Sequence, residues 1–279
     1  MRTVKIFQVD AFTDQKFKGN PAGVVPEADG LTDQEMLDIA RELNNSETAF
    51  VLKGDQEYDL HIRYFTPQAE VPVCGHATIA AIYVHALQHA LPTCTIKIKT
   101  QVGILPIHVQ EVKGEYEITM EQASPVFESP LDELVTSAIV EALGLNKQII
   151  NNHSPNRLNP DLSRLSQLSR EISCNGYFVF CITQTSPEYV TYGRMFAPAI
   201  GIAEDPVTGN ANGPLGAYLI HHHLVKPDGA TFQFTATQGN AMQRPGSMKV
   251  MVDIVNGKPA KVRIKGTAVI VFSTTLKLD

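Results

Sequence analysis

Residues 70–77 (Glu-Val-Pro-Val-Cys-Gly-His-Ala) bring a thiol, a glycine and an imidazole together at Cys74, Gly75 and His76, and residues 204–211 (Glu-Asp-Pro-Val-Thr-Gly-Asn-Ala) repeat five of those eight positions. An imidazole titrates near neutrality, so His76 can donate a hydrogen bond to a bound small molecule or exchange a proton with it. The second copy has Asp205, Thr208 and Asn210 where the first has Val71, Cys74 and His76. Asp205 can orient a ligand or hold its amine or hydroxyl. Taken singly, His76 is equally a packing or capping histidine, and Asp205 before Pro206 is an ordinary turn residue. Their matched positions in two copies of one motif are what give them chemical meaning.

A second requirement is an acid-base group. Two thiols, one from each half, could flank a carbon acid as in a cofactor-free racemase, but the second copy carries Thr208, whose hydroxyl is far too weak an acid to act as a thiolate does. Glu47, between a helix stop at Asn44-Asn45 and a strand, is the single carboxylate left in a suitable place. Its ordinary alternative is a solvated loop residue. His221-His222-His223 suggests a metal, yet adjacent residues on a helix point in different directions, and no other His, Cys or Glu cluster has ligand spacing along the chain. No metal and no organic cofactor are expected.

The elements that must position these residues recur in the same order. Each motif is preceded by an Arg-x-Phe-x-Pro frame (Arg63, Phe65, Pro67; Arg194, Phe196, Pro198) and runs into a small apolar helix, 78–87 and 213–220. A period near half the chain excludes a solenoid and predicts two similar halves. Gly75 and Gly209 then stand at loop-to-helix junctions, where backbone N–H groups are unpaired and the helix end is positive. Two such starts facing one cleft would cradle a carboxylate.

Elsewhere the pattern predicts strands over 4–12, 24–25, 49–52, 58–65, 95–99, 104–109, 177–182 and 231–237, and the composition changes after 115–120. Helices are expected over 31–43, opened by a Thr32/Glu35 capping box, and over 131–143 and 161–170, with a Pro- and Asn-rich loop over 151–160. Thr237-Gln238-Gly239 echoes Thr100-Gln101 and Gly103. The tail, 248–272, reads as two strands around Asn256-Gly257. The halves divide as 1–118, joined by a last strand over 264–279, and 119–263.

The chain has 279 residues, 43% hydrophobic and 19% charged, with a net charge of -6 and no block of like charges. Nucleic-acid and polybasic membrane footprints are absent from the sequence, which favours a small-molecule partner. Apolar runs are too short for a membrane span, and the start lacks the long apolar region of a signal peptide, so a cytoplasmic protein is expected. Four cysteines without Cys-x-x-Cys spacing fit reduced thiols.

Six segments together resemble the PhzF-like (phenazine biosynthesis-like) isomerase family: Val9-Asp10-Ala11-Phe12, Gly19-Asn20-Pro21-Ala22-Gly23-Val24, Asn45-Ser46-Glu47-Thr48-Ala49-Phe50, Arg63-Tyr64-Phe65-Thr66-Pro67, Cys74-Gly75-His76-Ala77-Thr78 and Glu204-Asp205-Pro206-Val207-Thr208-Gly209. The resemblance implies a duplicated α+β fold of the diaminopimelate epimerase type. Each domain would be a mixed, barrel-like sheet around a central helix, with a cleft between the halves and commonly a homodimer. It implies a cofactor-independent isomerase of a small carboxylic acid in which Glu47 moves a proton and His76 and Asp205 bind and polarise the substrate. Asn20, Ser46, Cys74, Gly75, Thr208, Gly209 and Asn210 complete the implied substrate-binding set. The phenazine-type members resemble Thr-Gly-Ser and Gly-His-Pro where this chain has Thr208-Gly209-Asn210 and Gly75-His76-Ala77. The carboxamide of Asn210 is larger than a serine hydroxyl and places its donors differently.

Overall fold

Thr78, Ile79, Ile82 and Val84 alternate with four alanines and Tyr83 so that no face of this stretch is polar, and a helix apolar all round must be buried all round. In the computed structural model, which describes residues 2–145, 155, 158–185, 188–227 and 229–278, every residue from 75 to 84 is buried. The helix, α2, runs Gly75–His89, three residues earlier than its apolar pattern predicts, so that His76 lies in its first turn. The chain divides into two compact units, one of residues 1–122, 246–249 and 263–279, the other of 123–245 and 250–262.

In the first unit the strands are β1 (Arg2–Ala11), β2 (Asn20–Val25), β3 (Thr48–Lys53), β4 (Leu60–Phe65), β5 (Glu70–Val71), β6 (Cys94–Thr100), β7 (Gly103–Val112), β8 (Glu115–Gln122) and β15 (Ala268–Leu278). They pair in the order β8-β7-β6-β4-β3-β2-β1-β15, with β5 on β4. The β2/β3 and β4/β6 pairs are parallel and the other pairs with a recorded register antiparallel, which makes the sheet mixed. Parallel neighbours need a crossover, and the two crossovers hold α1 (Asp33–Leu43) and α2. Helix α2 packs on β1, β2 and β15 and also on β8 at the far end of the strand order. The sheet therefore curls around it. Helix α1 covers the outer face, where Met36, Ile39 and Ala40 join Val4, Ile6, Val25, Phe50 and Phe65.

The local signals for α1 hold in detail. Thr32 caps the Glu35 N–H and the Glu35 carboxylate reaches back to the Thr32 N–H, the reciprocal pair of a capping box. Asn44 ends the helix in the left-handed conformation at φ 50, a conformation that asparagine tolerates better than most residues.

In the second unit β9 (Tyr177–Thr185) and β11 (Ile202–Asp205) pair antiparallel with β10 (Glu188–Ala197), and β10 pairs parallel with β12 (Thr231–Gln238). The order continues β12-β13-β14, with β13 at Gly246–Val255 and β14 at Lys258–Gly266. Helices α3 (Glu133–Ala142) and α4 (Leu162–Glu171) pack together, with Leu143, Leu165, Leu168, Tyr177 and Phe196 in one apolar cluster. The motif helix α5 (Gly209–His221) lies on the sheet at Gly216. A Cβ there would stand 2.7 Å from Val252 and 2.9 Å from Val250, so only glycine allows this approach.

Three features differ from the sequence reading. Strand β10 is absent from it, although β10 is the central strand of its group. The tail holds three strands rather than two over 248–272, because the chain breaks at Thr267, whose hydroxyl donates to the Tyr116 carbonyl at 2.8 Å. Residues 246–249 cluster with the first unit, where the Ser247 N–H donates to the Phe12 carbonyl at 2.8 Å. The Pro- and Asn-rich loop expected over 151–160 lies outside the described residues except at 155 and 158–160.

Candidate active site

Glu47 is held by what flanks it. On one side Asn45 is buried and exchanges two side-chain hydrogen bonds with Gln8 of β1, at 3.0 and 2.9 Å. On the other, Thr48 opens β3 and pairs with Gly23 of β2, and the Gly23 N–H donates to the Glu47 carbonyl at 3.3 Å. Gly23 is required here: a Cβ would stand 2.7 Å from both Leu43 and the Thr48 hydroxyl. A residue between two such anchors has little backbone freedom. Asn20, buried at the start of β2, lies at the same end of the parallel β2/β3 pair as Glu47.

Cys74 and His76 are placed by the first turn of α2. The Thr78 hydroxyl donates to the Cys74 carbonyl at 2.6 Å and meets the Tyr64 hydroxyl of β4, also at 2.6 Å. Burial pushes the Tyr64 phenol well above its ordinary range, so it stays a neutral hydrogen-bonding partner. The helix start is thereby pinned to the sheet. Cys74 stands at the N-cap of α2 but its side chain does not cap the helix, whose first N–H groups, those of Gly75, His76 and Ala77, lie outside the helical ladder.

These two anchors bring four predicted residues into contact. The His76 Nε2 lies 3.4 Å from a Glu47 carboxylate oxygen and 3.3 Å from the Ser46 hydroxyl. On the other edge of the ring, Nδ1 lies 3.4 Å from the Cys74 sulfur, and Nε2 is 4.0 Å from that sulfur. His76 and Glu47 are mostly buried, with side chains 8% and 15% exposed. One ligand-type atom from each of Glu47, Cys74 and His76 falls within 4.8 Å of the others, a set that could hold a metal ion. Spacing along the chain gives no hint of this trio, because Glu47 comes from a loop and the other two from a helix start after three intervening strands.

The second motif builds a different cluster within its own unit. Thr208 donates its hydroxyl to the Asp205 carboxylate. Gln238, at the end of β12 and 2% exposed, ties the loop together. Its carbonyl oxygen accepts from the Thr208 N–H at 3.1 Å and the Asn212 amide at 2.9 Å, and its amide donates to the Asp205 carbonyl at 2.7 Å. Gly209 is buried and Asn210 exposed, both in the first turn of α5. Gln238 and Asn212 are missing from the sequence-derived set. The echo of Gln101 in Gln238 was the available signal, and it carried no indication of contact with Asp205.

The residues that the two motifs share perform the same structural task. Arg63 grips Glu70 with two hydrogen bonds of 2.8 and 2.7 Å, and Arg194 grips Glu204 with the same two distances. Each guanidinium also lies over the phenyl ring of its frame, Phe65 at 5.1 Å and Phe196 at 4.8 Å. Arg63 holds the Glu70 carboxyl below the usual range, and the pairing raises Arg63 itself. The repeat thus builds the same bracket twice. The His221-His222-His223 run makes ring contacts rather than a ligand set: His221 stacks on Phe127 at 4.0 Å and His222 tilts against Tyr218 at 4.2 Å.

The architecture has counterparts among solved structures. The crystal structure of a Bacillus anthracis phenazine biosynthesis protein of the PhzF family matches with a TM-score of 0.86 and 30% identity, covering 100% of both chains. A predicted epimerase of Pseudomonas aeruginosa matches in fold, with a TM-score of 0.78 at 22% identity over 99% of this chain and 100% of that one. The class defined is an isomerase of the epimerase-like fold. Residues 9–274 match the phenazine biosynthesis-like protein family, and the chain is 47% identical over 301 aligned positions to an uncharacterized isomerase of Clostridium acetobutylicum, covering 100% of each. The chain belongs to the phenazine biosynthesis-like family.

Proposed function

We propose that the protein is a cofactor-independent isomerase of a small carboxylic acid, with Glu47 as the group that moves the proton. The observation that carries this reading is the 3.4 Å approach of the Glu47 carboxylate to His76 in the first turn of a buried helix. Glu47 takes a proton from a carbon next to the substrate's carboxylate. The C–H bond breaks, an O–H bond forms on Glu47, and the electron pair spreads into the carboxylate as an enediolate. Gly75, His76 and Ala77 present N–H groups and the positive helix end to that charge, and the His76 imidazole adds a donor. Glu47 then returns the proton to another carbon or to the opposite face. From the repeat in the sequence, Asp205, Thr208, Gly209 and Asn210 are proposed to bind the substrate's other polar groups, with Asn20, Ser46 and Cys74 completing the binding set. The protein is proposed to act as a homodimer in the cytoplasm.

A second reading, a racemase with Cys74 and Glu47 as paired bases, draws on the Cys74 contact with His76. Two bases on opposite faces of a carbon each need an approach of roughly 3–3.5 Å, and these two groups lie within 4.8 Å of one another. That spacing supports one base over two. Glu47→Gln is expected to lower turnover by roughly 100- to 10,000-fold with the fold intact, and Cys74→Ala to retain most of it. Loss of turnover in Cys74→Ala with Glu47→Gln active would reverse the assignment.

A further inference from the structure

The closeness that crowds a carbon suits a cation. We infer that Glu47, Cys74 and His76 form a site for a thiophilic divalent ion of the zinc type, and that the ion acts as an inhibitor of the proton transfer rather than as a cofactor. Thiolate, imidazole and carboxylate are the three ligand types that zinc takes, and three protein ligands leave one position open to water. Zinc bonds of ~2.0–2.3 Å arranged tetrahedrally imply ligand separations of ~3.3–3.6 Å. Nε2 of His76 lies 3.4 Å from the Glu47 oxygen and 4.0 Å from the Cys74 sulfur, which is nearer Nδ1 at 3.4 Å, and one donor atom from each of the three residues falls within 4.8 Å of the others. Binding draws the Glu47 and Cys74 side chains inward together with a turn of the His76 ring. On binding, the Cys74 thiol releases its proton to solvent as the sulfur–metal bond forms, and Glu47 and His76 contribute lone pairs.

Electrostatics decide whether a cation can sit there at all. The start of α2 places roughly half a positive charge nearby, which opposes it. A thiolate and a carboxylate supply two full negative charges at bonding distance, so the ligands outweigh the helix end. A metal on Glu47 occupies the lone pair that the proposed mechanism needs for the substrate proton. Inhibition therefore rests on the proposed role of Glu47, whereas binding does not.

The test is cobalt spectroscopy on the whole, reduced, metal-free protein, with zinc as competitor. Co²⁺ is expected to bind at one equivalent, with a thiolate-to-cobalt absorption in the near ultraviolet and intense visible bands of four-coordination, both removed by Zn²⁺. Cys74→Ser is expected to lose the thiolate band, and Cys94→Ser to keep it. Should Cys74→Ser fail to fold, Glu47→Gln decides, because it is expected to weaken binding by at least the ~10–100-fold that loss of a ligand's supporting partner costs. No thiolate band in the wild type, a band that survives Cys74→Ser, or unchanged affinity in Glu47→Gln would overturn the site. Zinc is then expected to abolish, and chelator to restore, any carbon-proton exchange that the enzyme catalyses. Exchange that persists at full zinc occupancy would overturn the inhibitory role, while a lack of exchange with every carboxylate would count against Glu47 catalysis and leave the spectra unaffected.

Discussion

His85, on α2 beyond the turn that holds His76, links the residue scale to stability. Burial first, and then the neighbouring His89, push its pKa from 6.5 down to about 4. The folded protein therefore holds a neutral ring where the unfolded chain would take up a proton. The sign follows: the unfolded state binds more protons between about pH 6.5 and 4, so stability is full above that window and falls as pH drops through it. His85→Gln is expected to flatten the dependence of Tm on pH between 6.5 and 4, measured by thermal melts across that range. An unchanged slope would show that the acid loss arises elsewhere. The same scale contains the least legible part of the candidate site. Glu47, His76, Cys74 and Ser46 were each visible in the sequence by type and motif, but their convergence depends on the parallel β2/β3 pairing and on a helix that starts at Gly75. Neither is a local property of the chain.

Elements explain both successes and misses. The Thr32/Glu35 box and the Asn44 stop are short-range signals, and α1 begins and ends where they place it. Strand β10 escaped because its pattern is broken by buried polar residues. Arg194 is only 6% exposed and Thr191 is fully buried, and an arginine in a sequence reads as surface. Arg194 can be buried because Glu204 takes it by two bonds and the carbonyls of Pro155 and Leu158 accept from its Nη1 at 3.1 and 2.7 Å. Removing one member of a buried pair strands the other charge, at a cost of roughly 3–5 kcal/mol. Arg194→Met is expected to destabilise by about that amount, and Arg63→Met by less, because its side chain is 18% exposed against 8% for Arg194. Denaturant titration of both variants checks the order. Equal losses would mean that burial does not set the difference.

At the scale of the whole molecule, one bracket is built twice. The Arg-x-Phe frame and the motif glutamate build the same ion pair in each unit, so the duplication was legible from identical residues. The roles proposed for the two motifs rest on the substitutions between them, Val71 against Asp205, Cys74 against Thr208 and His76 against Asn210. Gln238 lay beyond that reading, since its task is to satisfy buried backbone and amide groups around Thr208, which requires the three-dimensional placement of β12. The central claim is that Glu47 exchanges a proton with carbon. Its most direct test is incubation of the wild type and Glu47→Gln in heavy water with a panel of small carboxylates, followed by detection of carbon-bound deuterium. Label is expected with the wild type alone, with equal thermal stability of the two proteins; label at the wild-type rate in Glu47→Gln would remove Glu47 from the proton transfer.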